Sequence, residues 1–220
     1  MTYQKPEKIS DRKAGITMKN LWHSKHKQIE QRITEMTPGA VFVIYDFSDL
    51  AEPKTVSKTL ARLLESGTVE KVMRGVFWKP DHTVSSPHPD DVAHAIAREN
   101  VWQLVPCGDT ALHLMGIEER HPSVWTYVTD GNYRSYSYDG KIISFLHSSG
   151  KTFSAVSEKT ALLVQVIKAC GQNTLSEEHR KKILSFFKPD EIRQILRECR
   201  SMPEWVAKVI RGLFSKKELV

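Results

Sequence analysis

The sequence predicts an α+β fold, because its apolar residues recur with two different periods along one chain of 220 residues. Segments with apolar residues three, four and seven positions apart predict amphipathic helices, and short runs of β-branched and aromatic residues predict strands. Breakers such as Pro38-Gly39 separate these segments. The pattern divides the chain into a flexible basic arm over residues 1–18, a first domain over residues 19–80 and a second domain over residues 89–220.

The first domain is predicted to open with a helix that begins near Lys19 and ends before Pro38. One face of this helix carries the apolar residues Trp22, Ile29, Ile33 and Met36. The residues from Val41 to Tyr45 predict a strand, and Asp46 is placed to cap a short helix after it.

A second amphipathic helix is predicted to begin at Pro53, since proline is well tolerated at the first helical position. Its apolar stripe consists of Val56, Leu60, Leu63 and Leu64, and Gly67 is placed to end it. Its opposite face carries Lys54, Lys58 and Arg62, with Thr55 and Ser57 to either side near the start. Cationic and hydrogen-bonding side chains near the N-terminus of such a helix are typical of a helix that reads the major groove.

The residues after Gly67 predict a β-hairpin over 68–79 that turns at Gly75. Lys71, Arg74 and Lys79 of this hairpin are placed to meet phosphates. Helix, strand, short helix, proline-initiated helix and basic hairpin follow one another in the order of a winged helix-turn-helix. The sequence therefore predicts that the first domain binds double-stranded DNA.

The charge distribution favours the same partner. Residues 1–80 hold 14 Lys and Arg against 9 Asp and Glu, whereas residues 81–220 hold 18 against 17. A local basic excess favours a polyanion, because each neutralised phosphate releases counterions. A merely solvated basic surface, and a winged helix that binds protein instead of DNA, stay open as alternatives. No dimerisation signal is visible.

The second domain is predicted to follow a linker at residues 82–88. A helix begins at Pro89, short strands lie between residues 101 and 146, and the pairs Asp130-Gly131 and Asp139-Gly140 predict hairpin turns. The pattern is helical from Ser157 onward. The predicted fold class is thus α+β, with an N-terminal winged helix-turn-helix followed by a mixed α+β domain that ends in a helical bundle.

Several short segments resemble catalytic or metal-binding motifs, but each lacks a residue or a spacing that the motif requires. The three cysteines are too far apart for a zinc site, and Gly150-Lys151-Thr152 lacks the first glycine of a P-loop. His88-Pro89-Asp90-Asp91 is better interpreted as a helix start than as a metal motif, and Cys107 with His113 has no orienting third group. We expect no enzyme activity, no metal and no cofactor; a nucleic-acid-processing enzyme stays a further alternative.

We also expect a cytoplasmic protein without membrane contact, because no apolar run approaches the roughly 20 residues that span a bilayer. The first residues show no secretory signal either.

The first domain resembles the winged-helix part of the AbiEi-like antitoxins. The shared motifs stand here as Gly39-Ala40-Val41-Phe42, Asp46-Phe47, Leu60-Ala61-Arg62-Leu63 with Gly67, and Arg74-Gly75-Val76-Phe77. Phe77 replaces a tyrosine that is frequent in that family. The resemblance continues weakly through residues 107–116, covers roughly residues 20–150, and assigns DNA contacts to Thr55, Lys58, Arg62 and Arg74.

This resemblance implies two roles. The winged helix would bind the protein's own operator and repress its operon. The second domain would counteract a toxin of the nucleotidyltransferase class without stable binding to it, which is the type IV arrangement.

Overall fold

The computed structural model describes residues 25–81, 83–148, 156–171 and 175–215. The arm predicted over residues 1–18 and Trp22 of the first predicted helix lie outside the described residues. The chain forms two compact units that divide between Pro87 and His88. Each unit combines helices with a sheet, so the mixed α+β class predicted from the two apolar periods is confirmed.

The first unit packs helices against a small antiparallel sheet. Helix α1 covers residues 25–35, strand β1 is Val41–Val43, and a 3-10 turn follows at Ile44–Phe47. The later elements are helix α2 (Pro53–Glu65) and the hairpin strands β2 (Glu70–Met73) and β3 (Val76–Trp78). β3 lies between β1 and β2 and pairs antiparallel with both.

Apolar residues from these elements meet in one core, which fixes the inner face of α2. Ile29 of α1 and Leu60 of α2 are at most 1% exposed. The Phe42 ring meets Phe47 edge-on at 5.8 Å and stacks on Phe77 at 6.1 Å. Burying each such side chain contributes about 1.5–3 kcal/mol, so rotation of α2 about its axis would be strongly opposed.

Two local predictions in this unit are wrong. The first strand ends at Val43 and not at Tyr45, because the backbone turns into the 3-10 segment. Asp46 does not precede that segment as its cap but is its third residue, and its carboxylate accepts a hydrogen bond from the Val43 N–H at 3.0 Å. A carboxylate in this position satisfies a free N–H from inside the turn, as in a capping box.

The second unit is built on a four-stranded mixed sheet with the order β4-β5-β7-β6. Its strands are β4 (Leu104–Pro106), β5 (Trp125–Thr129), β6 (Arg134–Tyr138) and β7 (Lys141–His147). β5 pairs with β7 in parallel, and the other two pairings are antiparallel.

The hairpin predicted at Asp130-Gly131 is therefore wrong, whereas the hairpin at Asp139-Gly140 is confirmed. Asp130 accepts a hydrogen bond from the Gln103 N–H at 2.8 Å, and a Cβ at Gly131 would overlap the indole of Trp102. These contacts hold the segment against the start of β4, so β6 passes β5 and pairs with β7 instead.

Of the α-helices that the structure describes in this unit, two precede the later strands in sequence and four follow the last strand. They are α3 (Pro89–Asn100), α4 (Gly108–Leu114), α5 (Glu158–Cys170), α6 (Glu177–Phe186), α7 (Pro189–Glu198) and α8 (Glu204–Leu213). α4 to α8 share one core, in which Ile167, Ile195 and Ile210 are fully buried. In the described part of the chain, no helix combines the length and the apolar character needed to cross a bilayer.

Candidate nucleic-acid interface

One side of α2 is buried and the other carries polar and cationic side chains. Val56, Thr59 and Leu60 lie in the core. The exposed side consists of Lys54, Ser57, Lys58, Ala61 and Arg62, which we call the basic face. At 3.6 residues per turn these positions form one continuous strip, so the five side chains can meet one surface together.

Ala61 is the member of this strip that the sequence analysis missed. It lies between the cationic residues of the basic face, and its methyl group lets another molecule approach the helix closely. A helical projection of Pro53–Glu65 already places Ala61 there, so the signal was present in the spacing. Glu65 is also exposed, at the far end of the helix, so the last turn carries both Arg62 and an acid, whereas the first turn carries a lysine and no acid.

The N-terminus of α2 has an unusual charge for a helix start. Pro53 occupies the first position, Lys54 follows, and the first turn contains no acidic residue. Glu52 precedes the helix, but its side chain makes no capping hydrogen bond. A helix N-terminus carries a partial positive charge and normally favours acidic neighbours. A lysine there adds to the positive potential, which favours binding of an anion such as phosphate.

A buried polar contact fixes α2 against α1. The Thr59 hydroxyl donates to the Thr55 carbonyl at 3.0 Å, and the same oxygen is in hydrogen-bond contact with His26 Nδ1. Because a hydroxyl has a single proton, the second contact uses the N–H of His26 as the donor. Both side chains are at most 3% exposed, so this pair sets the register between the two helices.

A charged contact fixes α1 against the segment before α2. Arg32 donates to both carboxylate oxygens of Asp49, at 2.8 and 2.7 Å, and to the Asp46 carbonyl at 3.1 Å. The hydrogen bond from Arg32 holds the pKa of Asp49 below its ordinary value. A bidentate pair of this kind defines orientation as well as distance.

The hairpin carries two further exposed cations. Lys71 on β2 is exposed, and Arg74 is exposed in the turn that Gly75 completes with a φ of +83°. The partner strand is buried at Val76–Trp78, and the Trp78 indole donates to Glu70 at 3.2 Å. Lys54, Lys71 and Arg74 form no ion pair within the described residues.

Lys79 does not belong with these cations. Its ammonium group donates to the carbonyls of Thr34 and Met36, at 2.6 and 2.7 Å, at the C-terminal end of α1. Helix C-termini present unpaired carbonyls and a partial negative charge. Lys79 is therefore placed as a helix cap, and these two hydrogen bonds do not favour the expected phosphate contact, which stays a prediction.

Two smaller predicted residues have local roles. Thr55 is half-buried at the edge of the basic face. The Ser57 hydroxyl donates to the Pro53 carbonyl at 2.8 Å, which leaves its lone pairs directed outward as acceptors. The predicted site residues that reach the surface fully are Lys54, Ser57, Lys58, Arg62, Lys71 and Arg74.

The second unit contains a cluster of histidine rings next to Trp125. The rings of His113 and His121 lie 4.6 Å apart, and His88 meets the buried Trp125 edge-on at 4.7 Å. His88 Nδ1 accepts a hydrogen bond from the Asp90 N–H, and Pro89 is the first residue of α3, so the helix-start interpretation of this motif is confirmed. Among the described residues, no group of three or more ligating side chains could hold a metal ion.

The thiol of Cys107, considered above as a nucleophile, is not activated. Burial raises the pKa of Cys107 to about 11, so the thiol is protonated at neutral pH. Thiolate chemistry requires the opposite shift.

Comparison with known proteins adds a family but no activity. No curated protein matches the chain. A family model described as a family of unknown function, DUF6088, matches residues 28–195, which is more than half of the chain and includes parts of both units. The chain therefore belongs to DUF6088.

Proposed function

We propose that the first unit is a winged helix-turn-helix and that it binds double-stranded DNA. The order α1, β1, 3-10 turn, α2, β2, β3 supports this proposal, as does a sheet in which the last strand lies between the other two. The observation that carries it is the first turn of α2, where a lysine stands at the positive end of a helix that buries Val56, Thr59 and Leu60 on its opposite side.

The basic face of α2 enters the major groove in this proposal. Lys58 and Arg62 reach base edges, where Arg and Lys pair best with guanine. Ala61 permits close approach and offers a methyl group to thymine.

Lys54 lies in the first turn, where its own backbone N–H and its ammonium group can hold the same phosphate. Pro53 has no N–H. The N–H groups of Thr55 and Val56 bond to the Glu52 carbonyl.

Lys71 and Arg74 hold the sugar-phosphate backbone beside the groove. Contacts to phosphate position a protein on DNA without reading its sequence. Exposed cations on a hairpin that follows the reading helix suit this role. Lys79 is not included in these contacts, because its ammonium group caps α1.

The regulatory role extends the resemblance to the AbiEi-like antitoxins. The protein binds its own operator and represses its operon, and the second unit counteracts a nucleotidyltransferase-class toxin. Deletion of residues 89–220 should then abolish toxin neutralisation and retain some DNA binding. Neutralisation by the first unit alone would contradict this division of roles.

DNA binding is tested by fluorescence anisotropy on a duplex from upstream of the protein's own gene, with a scrambled duplex and a salt series. We expect selective binding that weakens with salt. Lys58→Ala/Arg62→Ala should weaken specific binding at least about tenfold, since each base contact is worth roughly 1–3 kcal/mol. Lys71→Ala/Arg74→Ala should lower the salt slope by about 2, because each phosphate contact contributes roughly 0.9.

The matched control is Arg193→Ala/Lys208→Ala, which removes one exposed arginine and one exposed lysine from the second unit. It should leave DNA binding unchanged. All variants should stay within about 1 kcal/mol of the wild-type free energy of unfolding, because interactions of exposed side chains, such as the Arg193–Asp190 pair, contribute little. Absence of binding at low salt, or equal losses in the control, would refute the proposal and favour a protein-interaction module.

A further inference from the structure

Strand β6 (Arg134–Tyr138) lies at one edge of the second sheet. β7 covers one side of it, and no other strand of the described residues pairs with it. An edge strand presents a row of backbone N–H and C=O groups that another strand can bind.

The turn between β6 and β7 determines which residues of β6 have backbone groups that point away from β7. Asp139 and Gly140 have φ angles of +46° and +70°, and Tyr138 pairs directly with Lys141. In a two-residue hairpin of this type the residues flanking the turn exchange both backbone hydrogen bonds, and alternate pairs do the same. Tyr138 and Tyr136 therefore bond to β7, while the backbone groups of Ser135 and Ser137 point away from it.

Among the described residues, this edge has no proline, lysine or bulge to prevent strand pairing, and Arg134 at its start is its one charged residue. The opposite edge of the sheet is β4, which is three residues long and ends in Pro106. The outward-pointing positions of β6 are small, exposed serines. Natural proteins block exposed edges with proline, lysine or bulges, so an unblocked edge of this length indicates a strand partner.

We propose that the partner is β6 of a second copy of this chain, paired antiparallel about a two-fold axis at Tyr136. Such pairing places Ser135 opposite the partner's Ser137 and joins the two sheets into one. An interface of this kind is closed and self-complementary.

The charges of the strand favour this register. Arg134 lies near one end and Asp139 follows the other end. Antiparallel pairing about Tyr136 keeps the two arginines apart. It brings Arg134 of one copy beside Tyr138 and Asp139 of the other. Asp139 also pairs with Lys141 of its own chain at 3.8 Å, so Arg134 would share this carboxylate. Opposite charges across a strand pair stabilise it, and like charges directly opposite destabilise it.

The side chains on both faces fit a strand partner. The Tyr136 ring packs edge-on against Phe145 at 5.8 Å, and its hydroxyl accepts a hydrogen bond from Arg134 at 3.4 Å. These two contacts hold the ring in place beside the proposed two-fold axis. In this register Tyr136 lies opposite Tyr136 of the second copy, and aromatic cross-strand pairs of this kind stabilise sheets. Tyr133, just before β6, is 68% exposed.

The association is tested by sedimentation velocity of the full chain over a hundredfold range of concentration. The wild type should shift from monomer to dimer mass. Ser137→Pro should stay monomeric, because proline removes an N–H that faces outward and leaves the pairing with β7 intact. Ser137→Thr is the matched control, since it keeps the N–H and suits a strand, and it should dimerise as the wild type does.

Disulfide trapping tests the register without relying on proline. In a Cys170→Ser background, Ser135→Cys and Ser137→Cys proteins are oxidised separately and as a mixture. Opposite residues have Cα atoms roughly 5.5 Å apart, whereas two copies of Ser135 would lie roughly 9 Å apart. A disulfide needs less than about 7 Å, so dimer should form only in the mixture.

A monomer at every concentration would overturn the proposal, and so would equal dimerisation of Ser137→Pro or equal cross-linking of the separate proteins. The DNA proposal is independent of these outcomes, because its readout is anisotropy of variants in the first unit.

Discussion

Helices α2 and α7 are built alike but carry their charges differently. Both begin with proline at the first position, and both bury one apolar stripe. α7 has Asp190 and Glu191 in its first turn and Arg197 in its last, which matches the helix dipole at both ends. α2 has Lys54 in its first turn and no acid there.

The two helices also differ in how their exposed cations are balanced. On α7, Arg193 pairs with Asp190 one turn away, and the neighbouring helix α6 pairs Lys182 with Glu178 at 3.2 Å. Lys54 of α2 has no such partner among the described residues. The arrangement of α7 stabilises the helix itself, whereas that of α2 favours an anionic partner at some cost to the helix.

The largest expected effect comes from the shared feature of the two helices, their buried stripe. Leu60→Ala in α2 and Ile195→Ala in α7 should each lower the free energy of unfolding by about 2–5 kcal/mol, because both side chains are at most 1% exposed. Urea unfolding measures the loss. Leu60→Ala should also weaken DNA binding, and equal weakening by Ile195→Ala would break the assignment of that function to α2.

The next effect concerns how α2 is held. Thr59→Val removes the oxygen that contacts His26 and leaves a buried N–H without its acceptor, so the free energy of unfolding should fall by about 1–3 kcal/mol. Ser57→Ala, on the exposed side of the same helix, should change it by less than about 0.5 kcal/mol. Equal effects of the two variants in thermal unfolding would mean that the buried contact does not orient the helix.

A smaller effect distinguishes a lysine with a structural role from one with a proposed binding role. Lys79→Met should lower the free energy of unfolding by about 1 kcal/mol, because the C-terminal carbonyls of α1 lose their donor. It should leave DNA affinity unchanged. Lys71→Met should do the reverse, with unchanged stability and weaker binding in the anisotropy assay. Loss of DNA affinity in Lys79→Met at full stability would return that residue to the interface.

The smallest effect on stability tests the comparison directly. Lys54→Glu should raise the free energy of unfolding by about 0.3–1 kcal/mol, because it places an acid at the positive end of α2. The same change should weaken DNA binding. Asp190→Lys at the matching position of α7 should lower stability by a similar amount and leave DNA binding unchanged. A Lys54→Glu protein that binds DNA normally would show that the first turn of α2 faces no phosphate.

Local signals were sufficient to predict much of the first unit. Pro53, the apolar stripe of α2 and Gly67 define one helix without reference to the rest of the chain, and the structure confirms its start and its buried side. Ile29 and Ile33 are buried as their spacing predicts. The role of Asp46 was missed because a carboxylate before a turn and one inside it leave the same sequence pattern.

Predictions failed where distant residues decide the structure. Asp130-Gly131 has the composition of a hairpin turn, but Trp102 and Gln103, which pack and bond there, lie far away in sequence. The parallel pairing of β5 with β7 accompanies these contacts, and no local signal indicates it. The capping role of Lys79 was missed for the same reason, since its two carbonyl partners lie at the C-terminal end of α1. Of the predicted interface, the residues of α2 could be read from one helical period alone.

The imidazole at the start of α3 makes the second unit sensitive to acid. His88 caps the helix as an acceptor, which requires an unprotonated Nδ1. Burial lowers the pKa of His88, and His113 and His121 lower it further, while Asp90 and Asp91 raise it. Because the folded pKa lies below the ordinary value of 6.5, this residue stabilises the fold above that value and loses its contribution as pH falls through the folded pKa. His88→Asn keeps a capping side chain without a titrating proton, so its unfolding temperature should fall less than that of the wild type between neutral pH and about pH 5.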